Sequence, residues 1–211
     1  MYNVYRIKPL KTLAWWVTAS LFVWPLAGMA LALVGFPVLF TGDMLFGSLM
    51  NSPNFQLFVT ILAVPVIGAI IGSVMALLQR RILRKYLYWT ADKWLRWTML
   101  GAAIGASVIA LILFFFGNSF FGDIKFLFLM PVFLICVSSF QFIALRHAVK
   151  QAWLWIIANI VGGILFAAIP LNNQPDYYNI NYDIIWFGIG TLAVLSLGII
   201  TGWVLIFLFE K

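Results

Sequence analysis

The chain has 211 residues, 64% of them hydrophobic and 9% charged, with a mean hydropathy of +1.06. Soluble domains carry about 25% charged residues, so this composition excludes an ordinary soluble enzyme or binding domain and describes a polytopic membrane protein. The formal charge is +7, but the cations stand at the ends of apolar runs. They are read as orientation signals and contacts to anionic lipid headgroups, with no role in binding nucleic acid.

From the N-terminus, Arg6, Lys8 and Lys11 precede an apolar run that continues to Phe40. A signal peptide's apolar region is only roughly 7 to 15 residues long, so this run reads as an uncleaved first span. Further runs follow, and together they predict spans near 13–40, 55–78, 97–116, 126–145, 152–170 and 184–209, against the about 20 residues that cross a hydrocarbon core. Their continuous apolarity, without alternation, predicts helices and not a barrel. The expectation is one all-α, six-helix transmembrane domain over 1–211. Pro25, Pro65 and Pro131 fall inside spans and are expected to kink them.

Between the second and third runs lies QRRILRKYLYWTADKWLRW, from Gln79 to Trp97. Arg80, Arg81, Arg84, Lys85, Lys93 and Arg96 cannot enter lipid together, so this hinge is placed outside the hydrocarbon and, under the positive-inside rule, in the cytoplasm. Alternation then puts Arg6, Lys8, Lys11, Arg146, Lys150 and Lys211 on the same side and leaves Lys125 alone on the other. Both termini are therefore expected in the cytoplasm, as in a protein of a bacterial inner membrane. Arg80, Arg81, Arg84, Lys85, Arg96, Arg146 and His147 become candidate headgroup contacts. Trp15, Trp16, Trp89, Trp94, Trp97, Trp153 and Trp155 gather near the same boundary, where amphipathic indoles belong.

The two inner hairpins share an order of residue types. Gln79-x3-Leu83-Arg84-Lys85 is followed by Trp94, Trp97 and Gly101; Gln141-x3-Leu145-Arg146-His147 is followed by Trp153, Trp155 and Gly162. The first span, with Lys11, Trp15, Trp16, Trp24 and Gly28, fits the returning half. The last fits the outgoing half if Gly198-x3-Gly202 is laid on Gly68-x3-Gly72. Three quasi-equivalent hairpins are expected, the third split between the chain's ends.

This pattern of a Gly-rich span, Gln-x3-Leu-Arg, a short basic turn and a Trp-led return span resembles a group of multi-spanning membrane proteins of cyanobacteria and Chloroflexi. The resemblance covers Gly68 to Gly105 and Ser138 to Gly163. That group carries no assigned biochemical role, so the resemblance implies architecture and supplies no catalytic residue.

Packing in lipid relies on small residues, and Gly68 with Gly72, Gly101 with Gly105, and Gly198 with Gly202 each place two glycines on one helix face. These faces are expected to pack within the chain, with contact to a second copy as the alternative. Gln141 and Asn159 lie about equally far from the second hinge and are expected to bond to each other. Cys136, the single cysteine, reads as a packing residue. His147 lacks a second ligand at metal spacing, no metal site or particular cofactor is implied, and no Walker, Rossmann or nucleophile-elbow motif occurs. Deep in the spans there is no Asp, Glu, Lys or Arg to relay protons.

The expected function is that of a non-catalytic integral membrane protein, a subunit or scaffold of a larger assembly with other membrane proteins as partners. The alternative is a small-molecule-binding transporter subunit, similar in size, charge and span number to the substrate-capture subunits of energy-coupling-factor vitamin transporters. Its ligand residues would be Asn172, Asn173, Asp176, Tyr177, Tyr178 and Trp186. An enzyme acting on lipid would need Arg84, Arg146 and His147 around one headgroup.

Overall fold

The computed structural model describes residues 9–46, 52–120, 125–171 and 181–209. The chain is 93% helical and no described residue is in a strand, so the protein is all-α. The helices are α1 (Pro9–Phe46), α2 (Pro53–Tyr86), α3 (Tyr88–Phe120), α4 (Lys125–Leu145), α5 (Leu154–Leu171) and α6 (Asn181–Phe209). Each packs on its sequence neighbours, and α1 packs on α6, so the six helices close into a ring.

Among the described residues, five helical segments are long and apolar enough to cross a membrane: Pro9–Leu33, Ile61–Tyr86, Thr90–Phe116, Phe128–Leu145 and Thr191–Phe209. The corresponding apolar segment of α5, Leu154–Leu165, is shorter. The first three helices outrun their expected spans. With 38 residues, α1 is about 57 Å long at 1.5 Å per residue, well beyond a hydrocarbon core of about 30 Å. Its end takes up Thr41 and Asp43, which lie beyond the end of the expected span at Phe40. Pro25, Pro65 and Pro131 all lie within continuous helices.

The largest departure is at the basic hinge. It is helical on both sides of one residue, Leu87. The physical reason is that no glycine or proline stands between Gly72 and Gly101, while Arg, Lys, Gln and Leu are strong helix formers. Helix therefore persists where apolarity stops. The reversal is held by backbone bonds: the Leu87 amide donates to the Leu83 carbonyl at 2.7 Å, and the Thr90 and Ala91 amides donate to the Leu87 carbonyl at 3.0 Å. The second hinge, 146–153, is a succession of turns instead.

The buried core at this basic end joins all six helices or their flanking turns, with Trp16, Ala76, Leu83, Trp94, Leu145, Ala152, Trp155 and Leu205 among its members. Thr12 and Tyr86 share a hydroxyl hydrogen bond of 2.5 Å, and the Tyr86 ring lies 5.6 Å from that of Phe209. These contacts tie α1, α2 and α6 together where the ring closes.

Candidate functional site

Two features of the basic end gather polar side chains: a tryptophan centre inside the ring and a cationic groove on its surface. In the centre, Trp16, Trp94 and Trp155 are 0%, 0% and 1% exposed, whereas their sequence neighbours Trp15 and Trp153 are 55% and 51% exposed. Trp155 packs edge-on against both others, with ring centroids 5.6 Å from Trp16 and 5.5 Å from Trp94. Edge-to-face geometry suits the ring quadrupoles.

Each indole N–H is spent on a neighbouring helix. Trp94 Nε1 donates to Gln79 Oε1 at 3.1 Å, Trp155 Nε1 to Gln141 Oε1 at 2.8 Å, and Trp16 Nε1 to Thr201 Oγ1 at 3.1 Å. The Gln141 amide also donates to Thr98 Oγ1 at 3.1 Å, while Thr201 donates to the Leu197 carbonyl of its own helix at 2.8 Å. In an apolar interior an unpaired polar group is costly. Among the described residues, no buried side-chain nitrogen or oxygen lacks a partner.

The expected Gln141–Asn159 bond is replaced by a different arrangement. Asn159 Nδ2 donates to the Trp155 carbonyl at 2.8 Å, so both amides converge on Trp155, one at its indole and one at its backbone. Asn159 sits one turn beyond Trp155 on the same helix, close enough to bond back to it. The sequence reading missed Thr98 and Thr201. Thr98 was accessible to it, because Trp94, Thr98, Gly101 and Gly105 recur on one helical face.

The glycine pairs meet helices of the same chain. A Cβ on Gly72 would stand 2.6 Å from Ala102 Cβ and 2.9 Å from the Thr98 carbonyl, so only glycine allows that approach of α2 to α3. Gly68 likewise faces Ala102 and Ala103, Gly101 and Gly105 face α4 at Val137 and Phe133, and Gly198 and Gly202 face α1 at Ser20 and Trp16. These faces are occupied within the chain.

On the surface, four of the six cations of the first hinge fall into two groups. Arg80 and Arg84 reach back to Asp92, Arg80 through Nε at 3.0 Å and a second contact from its terminal nitrogen, Arg84 at 3.3 Å. Lys93 and Arg96 instead face a groove of about 530 Å³ that Trp97, Leu100, Ile143, Arg146 and His147 complete. Arg146 Nε donates to His147 Nε2 at 3.1 Å, which requires the imidazole proton on Nδ1. The indole of Trp97 lies 5.8 Å from the Phe140 ring. Arg84, which an enzyme acting on lipid would need beside Arg146 and His147, belongs to the Asp92 group, and Arg96 lines the groove with Arg146 and His147 instead. Arg81 and Lys85 are exposed.

Asn172, Asn173, Asp176, Tyr177 and Tyr178 lie outside the described residues, and Trp186 is placed only as a position in α6. No group of three His, Cys, Asp or Glu suited to a metal ion occurs among the described residues.

An all-α ring with five helices of membrane-crossing length and composition defines a helical integral membrane protein. No protein-family model matches this chain, and no curated protein or solved structure matches it either.

Proposed function

We infer that the chain is a non-catalytic, six-span subunit or scaffold of a larger membrane assembly, built as three hairpins with both termini in the cytoplasm. The observation that carries the reading is the tryptophan centre. Its polar groups are spent on one another, which favours a closed, self-satisfied bundle over a solute path that would need unspent polar groups along it.

The three-hairpin reading draws on the same centre. The Trp–acceptor bonds join α2 to α3, α4 to α5, and α6 to α1, and Leu83, Leu145 and Leu205, four residues after the three acceptors, are all fully buried. In this register the third acceptor is Thr201. Laying Gly198-x3-Gly202 on Gly68-x3-Gly72 would have put it at Phe209. The sixth span is α5, whose 18 residues extend about 27 Å.

Native mass spectrometry of the protein released from its own membrane in mild detergent tests the function. A stoichiometric protein partner is expected, and a lone chain carrying a retained small molecule would overturn the subunit reading. Topology is tested in a Cys136→Ser background, where Lys85→Cys and Asn173→Cys should label from opposite sides. Labelling of both from outside would sink the cytoplasmic placement of the hinge.

A further inference from the structure

The groove between α3 and the end of α4 is the part of the basic end where cations meet and, among the described residues, no acid answers them. Lys93, Arg96, Trp97 and Leu100 recur at helical spacing and share one face of α3. Ile143 comes from α4, and Arg146 and His147 from the turn behind it. Asp92, the residue before Lys93, is held on the other side by Arg80 and Arg84. Among the described residues, no carboxylate lies within ion-pairing distance of Lys93, Arg96 or Arg146.

Three like charges converging on one cavity repel one another unless an anion sits among them. The donors suit a tetrahedral oxyanion. Arg146 spends Nε on His147 and keeps its two terminal nitrogens, and a guanidinium fork matches two phosphate oxygens at once. The rest of the lining is apolar. Trp97, braced by Phe140, and Leu100 lead into Ile104 and Leu111, exposed apolar residues further along α3. Free phosphate would leave that apolar half of the groove unused, whereas a lipid would lay its glycerol and first methylenes there.

We propose that the groove lined by Lys93, Arg96, Trp97, Leu100, Ile143, Arg146 and His147 binds an anionic phospholipid, its phosphate held by Arg96, Arg146 and Lys93. The proposal goes beyond the subunit reading and needs only that the basic end lie at a membrane face.

The test is a titration of delipidated, full-length protein in detergent with dioleoyl phosphatidylglycerol, counting bound lipids by native mass spectrometry. Wild type should retain one lipid, and dioleoyl phosphatidylcholine should bind at least about tenfold more weakly because its choline offsets the phosphate charge. Replacing both Arg96→Gln and Arg146→Gln should weaken phosphatidylglycerol binding roughly thirtyfold, about fivefold per guanidinium. The pair Arg81→Gln and Lys85→Gln removes the same charge elsewhere and should leave binding unchanged.

Equal loss in both double variants would reduce the effect to general surface charge and overturn the site, as would no loss in the first. Displacement of the lipid by millimolar inorganic phosphate would identify a free-phosphate site instead. Should the double variant fail to give a native circular dichroism melt, Arg96→Gln alone decides, with about a fivefold loss expected. A negative result leaves the subunit reading standing, because protein stoichiometry decides that one.

Discussion

In the α2–α3 hairpin the chain reverses over Leu87, Gln79 spends its carbonyl on Trp94, and two of the cations turn back onto Asp92. In the α4–α5 hairpin the chain takes 146–153 to turn, Gln141 both accepts from Trp155 and donates to Thr98, and Arg146 bonds to its own neighbour, His147. The two are written with the same residue types in the same order, yet one closes its surface charge internally and the other closes its interior polar network. An acid one turn from the reversal makes the difference at the surface. At the interior, the difference comes from Thr98 on a third helix, within reach of Gln141 but not part of its hairpin.

The largest expected effect separates the two indoles. Trp155 packs on both Trp16 and Trp94, so Trp155→Ala should cost about 3 to 5 kcal/mol in reversible unfolding from mixed micelles. Trp94→Ala should cost less, because Trp94 meets the pair at one edge; equal losses would show that the centre has no middle member. Gly72→Ala comes next at about 1 to 3 kcal/mol, since the new methyl would meet α3 backbone. Gly163→Ala should be milder. The nearest obstacle there is the end of the Leu134 side chain at 2.8 Å, and a melt that ranks the two glycines the other way would contradict the close α2–α3 approach.

Gln141→Leu should lower stability by about 1 to 2 kcal/mol, and Gln79→Leu by roughly half that, because the first variant orphans Thr98 as well as an indole. Matching losses would mean the Gln141–Thr98 bond contributes nothing. The smallest effect belongs to Asp92→Asn. Its pairs with Arg80 and Arg84 are solvent-exposed, so Tm should not move measurably at physiological salt. A clear drop would show that the tight α2–α3 reversal depends on the ion pair.

Much of the helical content was legible because lipid demands continuous apolar helices, and hydropathy reads that demand locally. The limits of the helices were less legible. Hydropathy marks where lipid ends, but helix propensity decides where helix ends, and from Gly72 to Gly101 nothing in the sequence breaks it. The glutamines and tryptophans of the centre were visible as a recurring order of residues. Which tryptophan of each pair turns inward was not, because Trp15 and Trp16 are adjacent and only the rotation of α1 against α6 selects Trp16.

The sequence by itself determined the class of protein, the number of apolar runs and the gathering of charge and indole at one end. Each follows from transfer of side chains between water and lipid, which depends on composition along the chain. Tertiary structure alone decided that Thr201 would stand beside Trp16, that both amides of the second hairpin would converge on Trp155, and that Arg96 would join Arg146 while Arg84 joined Asp92. The Trp16–Thr201 and Arg96–Arg146 placements join residues far apart in the chain, set by helix rotation and by the closure of α1 on α6, and the shorter-range bonds to Trp155 and Asp92 depend on how neighbouring side chains turn, which hydropathy along the chain does not encode.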